Sequence, residues 1–212
     1  MKRRNALKNI GLSLGAITMS ATVASLLQSC QKGTALTWQP TFFSPAEADL
    51  VTKTLEVILP TTSDIPGATD LNLAQFIDGY LNTVVSEKEK IGFKAGIEQY
   101  LTTTLQATGK TEAADLSLVD IDGRLAYYLK ANPDQQKAWN QEVSAAKQEN
   151  GTTPSDDAVN FSVLKSLRSR GISAFKMTEY IGEEVLAYAP VPGEQKGCVD
   201  LQEATEGKAW SL

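Results

Sequence analysis

The chain has 212 residues, 42% of them hydrophobic and 21% charged, the composition of one ordinary globular domain or at most two small ones. Twenty basic residues against 25 acidic ones leave a net charge of −5, which argues against nucleic-acid binding, because that needs clustered positive charge to neutralise phosphates. There is no histidine, and two cysteines cannot build a thiolate zinc site or an iron–sulfur cluster, so Ser-His-Asp and Cys-His catalysis, His-ligated metals and His-ligated haem are excluded.

Residues 1–29 read as a signal peptide. Lys2, Arg3, Arg4 and Lys8 make a basic start, an uncharged stretch runs from Ile10 to Leu27, and Leu27-Gln28-Ser29-Cys30 closes it. Ser13, Thr18, Ser20, Thr22 and Ser25 leave the stretch only weakly hydrophobic for a membrane span. Leu-x-Ser-Cys resembles a bacterial lipobox, in which Cys30 becomes the lipidated first residue of the mature chain. The other reading is a plain signal peptide with an incidental cysteine. Arg3-Arg4-Asn5-Ala6-Leu7-Lys8 resembles a twin-arginine export signal, with Ala6 in place of the usual Phe. A basic start for the general secretory route is the alternative. Without residues 1–29 the formal charge is −9, and Cys198 has no intrachain partner if Cys30 is lipidated.

Residues 30–43 form a tether whose end, with Trp38, Phe42 and Phe43, is expected to dock on the body. The body, 44–212, reads as a single all-α domain. Ser44, Pro45 and Glu47 make a capping box and a first helical turn, and Leu50, Val51, Leu55 and Ile58 continue one apolar face until Pro60. A turn-rich loop spans Thr61 to Thr69. Asp70 is then expected to cap a helix carrying Leu73, Phe76, Ile77, Tyr80, Leu81 and Val84. Ser86 with Glu89 predicts a second capping box and a helix to Gly109. A fourth helix follows Ser117 through Leu125 and Tyr128, interrupted in propensity by Gly123. Pro133 precedes a polar helix around 135–148. Ser155 to Arg170 reads as another helix, with Val159, Leu164 and Leu167 inward, and a last helix is expected over Lys176 to Leu186. Beyond Tyr188 the Pro- and Gly-rich sequence predicts an irregular tail. Nowhere does a strand alternation persist.

Few residues offer chemistry. Asp64 and Asp70, among hydroxyls, have the donors for a hard cation, but an Asx turn and a helix cap use both residues in commoner roles. Asp120 and Asp122 lie two apart on a helix and do not face each other as an acid–base pair would. Lys165, Arg168 and Arg170 read as a solvated basic face or a partner contact. Tyr80, Tyr100, Tyr127, Tyr128 and Tyr180 stand at helical spacings that suit a core. Trp38, Trp139 and Trp210 have the rings to stack on sugars if exposed, and core packing is the alternative. Cys198 is read as a buried thiol, or as a partner contact forming an intermolecular disulfide. No dinucleotide, phosphate or haem-attachment motif occurs, so no catalytic residue, cofactor site or metal site is assigned to this chain.

Three runs carry a resemblance: Leu55-Glu56-Val57-Ile58-Leu59-Pro60, Asp64-Ile65-Pro66-Gly67-Ala68 and Phe76-Ile77-Asp78. With Phe161, Leu164, Gly171, Tyr188, Pro192-Gly193, Gly197-Cys198 and Ala209-Trp210 in order behind them, the chain resembles the gluconate 2-dehydrogenase subunit 3 family. The resemblance implies a non-catalytic accessory subunit on the periplasmic side of a bacterial membrane. Its partner would be a large flavoprotein dehydrogenase of the glucose–methanol–choline type, carrying FAD and oxidising sugars or sugar acids, in some systems with a cytochrome c subunit. The small subunit would bind no flavin and would support folding, export and anchoring of the large one. An envelope lipoprotein that binds carbohydrate or protein is the other reading.

Overall fold

A computed structural model describes residues 36–148, 152–189, 191, 193 and 197–211. The export signal at Arg3 and Arg4 and the lipidation site Cys30 lie outside the described residues. Helices dominate: α1 Pro45–Ile58, α2 Leu73–Thr83, α3 Glu87–Thr108, α4 Leu118–Leu129, α5 Pro133–Gln148, α6 Asp156–Lys176 and the short α7 Leu201–Thr205. Among the described residues no sheet forms. A lone parallel bridge between Ala187 and Trp210 closes the tail on itself.

The fold is organised around α6, which packs on α1, α2, α3, α4 and α5. Its buried residues include Ala158, Phe161, Val163, Leu164, Leu167, Gly171 and Ala174, which together go most of the way round the helix. A helix apolar on several sides has to be central, because each face needs a cover. The surrounding helices each contribute one stripe: Leu50, Val51 and Leu55 from α1, Leu73, Ile77 and Leu81 from α2, Ile97 and Tyr100 from α3, Ile121 and Leu125 from α4. Trp139 on α5 packs against Tyr127, Tyr128 and Phe161.

Helix starts follow local chemistry. Ser44 and Glu47 exchange hydrogen bonds across the first turn of α1, and Ser117 does the same with Asp120 on α4. At Ser86 the hydroxyl accepts from the Glu89 amide, but the expected box is only half made, because the Glu89 carboxylate turns away to Arg170. The expected Asp70 cap is not formed. Helix α2 begins instead after Asn72, which has φ 53° and no capping side-chain bond. Gly123 does not interrupt α4.

Two endings differ from expectation. Helix α6 continues through Gly171 to Lys176 rather than stopping at Arg170. Gly171 is there for contact, not termination: a Cβ on it would lie 2.6 Å from Leu55 Cδ2, so α1 and α6 meet over bare backbone. The helix expected over 176–186 reduces to one wide π-helical turn, Ile181–Val185. The tail, predicted irregular, also contains α7, capped by Asp200 through the amides of Gln202 and Glu203.

Candidate functional site

The described residues contain no group of three His, Cys, Asp or Glu side chains able to hold a metal ion, and no described helix is long and apolar enough to cross a membrane.

Of the carboxylates singled out by sequence, Asp70 and Asp120 are structural. Asp70 Oδ2 accepts from the Thr61 hydroxyl at 2.6 Å and the Gly67 amide at 2.9 Å, so it staples the loop rather than capping α2. Those two donors hold its pKa below the usual carboxylate value. Glu56 on α1 grips the same loop, taking the Thr61 amide and both donors of Thr69. Thr62, not Asp64, makes the turn, accepting the Ile65 amide at 3.0 Å. Gly67 is required by close approach, since a Cβ there would meet the Thr61 nitrogen at 2.4 Å. Asp120 belongs to the α4 capping box, and the Ser117 amide and hydroxyl lower its pKa. Asp122 is exposed beside it.

Sequence reasoning missed the tether clasp. Asp78, 3% exposed on the inner face of α2, receives four bonds from the segment before α1. Oδ2 takes the Thr41 amide at 2.8 Å and the Thr41 hydroxyl at 2.6 Å; Oδ1 takes the amides of Phe42 and Phe43 at 3.0 and 2.9 Å. Next to it, buried Glu47 pairs with Lys94 of α3, and Lys94 Nζ also reaches the Phe42 carbonyl at 3.1 Å and lies over the Phe42 ring. Phe43 is buried against Phe93, so the expectation that the tether end docks on the body holds. A legible signal existed: Asp78 stands between Ala74 and Leu81 at helical spacing, a charge inside an apolar stripe.

A second polar node lies among α3, α4 and α6. Tyr128 donates to Asp157 at 2.9 Å and accepts from Arg124 and Asn160, while Asn160 also donates to Thr103. Burial pushes the Tyr128 phenol up to about 12, and burial likewise raises Tyr100. The nearby Asp157 charge raises Tyr127. The five tyrosines therefore divide. Tyr100 and Tyr128 are core, as expected; Tyr80, Tyr127 and Tyr180 are surface residues, because their helices turn those positions outward. Of the tryptophans, Trp139 is 5% exposed and cannot stack on a sugar, Trp38 is half-buried at the tether, and Trp210 lies exposed in the tail. Cys198 is exposed and free rather than a buried thiol, since its tail segment has no core to enter. Lys165 and Arg168 face solvent, but Arg170 turns inward over Tyr80 and Phe93 and pairs with Glu89.

Two surfaces stand out among the described residues. One is the outer side of α2 and the turn after it, where Phe76 (50% exposed), Tyr80 and Val84 (63%) stand without an exposed charge between Leu71 and Ser86. The other is a half-open trough of about 610 Å³ where α3, α5 and α6 meet.

The family model described as gluconate 2-dehydrogenase subunit 3 matches residues 45–193. No curated protein and no solved structure matches the chain.

Proposed function

The chain belongs to the gluconate 2-dehydrogenase subunit 3 family, a family named for an accessory subunit of a dehydrogenase, and from that premise we propose a fuller role. It is the non-catalytic small subunit of a periplasmic, membrane-associated dehydrogenase of sugars or sugar acids. The FAD belongs to the large subunit. This chain, lipidated at Cys30 and exported by way of Arg3 and Arg4, supports folding, export and anchoring of that partner. A cytochrome c subunit completes the complex in some systems. Cys198 contacts the partner or forms an intermolecular disulfide with it, a role its exposure supports.

Family membership over 45–193 is the observation that carries this reading. Two features support it. The buried side chains of Asp78, Glu47, Tyr128 and Asn160 are engaged in holding the helices and the tether together, and an uncharged aromatic face of α2 is left exposed. Mechanistically, an accessory chain that binds only the folded large subunit stabilises it by mass action.

The test is a gentle detergent pull-down of the full chain from native membranes, followed by an absorbance spectrum of the eluate. A second, larger band with a flavin spectrum is expected. A colourless single band would overturn the reading and favour an envelope binding protein. Replacing Arg3 and Arg4 by Lys is expected to leave both proteins in the cytoplasm; unchanged export would refute twin-arginine transport.

A further inference from the structure

We propose that the trough between α3 and α6 receives an acidic segment of the partner chain, seated by an apolar side chain on the floor and held by Lys88 and Lys147 at the rim. This deepens the accessory-subunit reading and rests on it.

The trough exists because both facing helices present small residues. Gly92 on α3 has no atom within 4 Å of where a Cβ would stand, and Ser162 and Ser166 line the opposite wall on α6. Below them Phe93 and Val163 give an apolar floor. The trough is half-open, whereas small-molecule sites bury most of their ligand, so its shape suits a length of polypeptide laid across it.

Charge selects the kind of segment. The Glu89 carboxylate at one end is already neutralised by Arg170. Lys88 and Lys147 both line the trough, and neither makes an ion pair or hydrogen bond among the described residues. Among the described residues the free charge of the rim is thus positive, on a chain whose formal charge after residue 29 is −9. An acidic segment therefore finds charge complementarity here.

The full-length chain is captured from native membranes in three forms: unaltered, Gly92→Leu, and Lys88→Glu with Lys147→Glu. A Cβ at 92 meets no atom within 4 Å, so leucine there starts into open space and occupies the trough, and it favours helix more than glycine does. It is expected to cut flavoprotein recovery by about tenfold or more, the scale of one lost anchoring contact, while the melting temperature stays the same or rises. The double reversal is expected to lower recovery similarly, and the unaltered pair to weaken as salt is raised. Full recovery with both variants would overturn this inference and leave the accessory-subunit reading intact. No flavoprotein with the unaltered chain would overturn both. A co-purifying anionic lipid lost from Gly92→Leu, with flavoprotein retained, would overturn the peptide occupant.

Discussion

Asp78→Asn should detach the tether from the body. Four donors converge on two carboxylate oxygens: three backbone amides and the Thr41 hydroxyl. Asparagine is nearly isosteric, so it creates no cavity, but it offers one acceptor oxygen and an NH₂ group. With the asparagine NH₂ turned to Thr41, the Thr41 hydroxyl can rotate and accept, but the Thr41 amide would face a donor. Hydrogen bonds to a charged group contribute about 1.5–3 kcal/mol each, so losing one of them and the charge behind the other three makes keeping the segment docked cost about 3 kcal/mol or more. Undocking lets the amides regain water but re-exposes Phe43, which costs about 2–3 kcal/mol of apolar burial. The cheaper route sets the observed loss, so about 2–3 kcal/mol is expected in urea denaturation of the mature chain. Residues 36–43 should also become sensitive to limited proteolysis before the body unfolds. A variant within about 0.5 kcal/mol of the parent, the range of an ordinary surface change, with unchanged protease resistance would refute the clasp.

Gly171→Ala should destabilise by about 1–2 kcal/mol, because the clash with Leu55 Cδ2 outweighs the helix-propensity gain. Combined with Leu55→Ala it should cost no more than Leu55→Ala alone, a coupling that a double-mutant cycle reads directly. Acid should weaken the fold in a defined window. Asp70, Asp120 and Glu142 all have lowered pKa values when folded, so the stability they add is present above about pH 4 and is lost as pH falls through each folded value. Denaturation midpoints should be flat down to about pH 5 and fall below 4, and Ser155→Ala should flatten part of that fall by releasing Glu142. At the other extreme, the folded Tyr128 phenol keeps its proton up to about 12. An unfolded tyrosine loses it near 10, so stability should fall from about pH 10 upward, with the phenolate absorbance of Tyr128 itself appearing only on unfolding.

Much of the helical order was legible because its cues are local. Ser44, Glu47 and Ser117 act within three residues of themselves, and α1 and α4 carry plain 3.6-residue stripes. What failed was long-range. Gly171 looks like a helix end in one dimension and is a helix–helix contact in three. Tyr80 and Tyr100 occupy equally apolar patterns, yet only the second has helices on its far side. The pairing of Ala187 with Trp210 joins positions whose intervening sequence gives no periodic signal. At the candidate surfaces, the resemblance contained Asp78 and Gly171 as letters without their tasks. The trough was invisible because it is made of what small residues leave unfilled.

The clasp also sets a distance. Eleven peptide units separate Cys30 from Thr41, the first residue that Asp78 holds. At 3.3–3.6 Å per residue this is a leash of at most about 40 Å. If Cys30 carries the lipid, as proposed, the tether's docking point on α2 can stand no farther than that from the bilayer surface. An isolated tether would let the body sample every orientation. One gripped at a buried carboxylate gives it a fixed attachment point, so whatever this subunit binds is presented to the membrane within a bounded height.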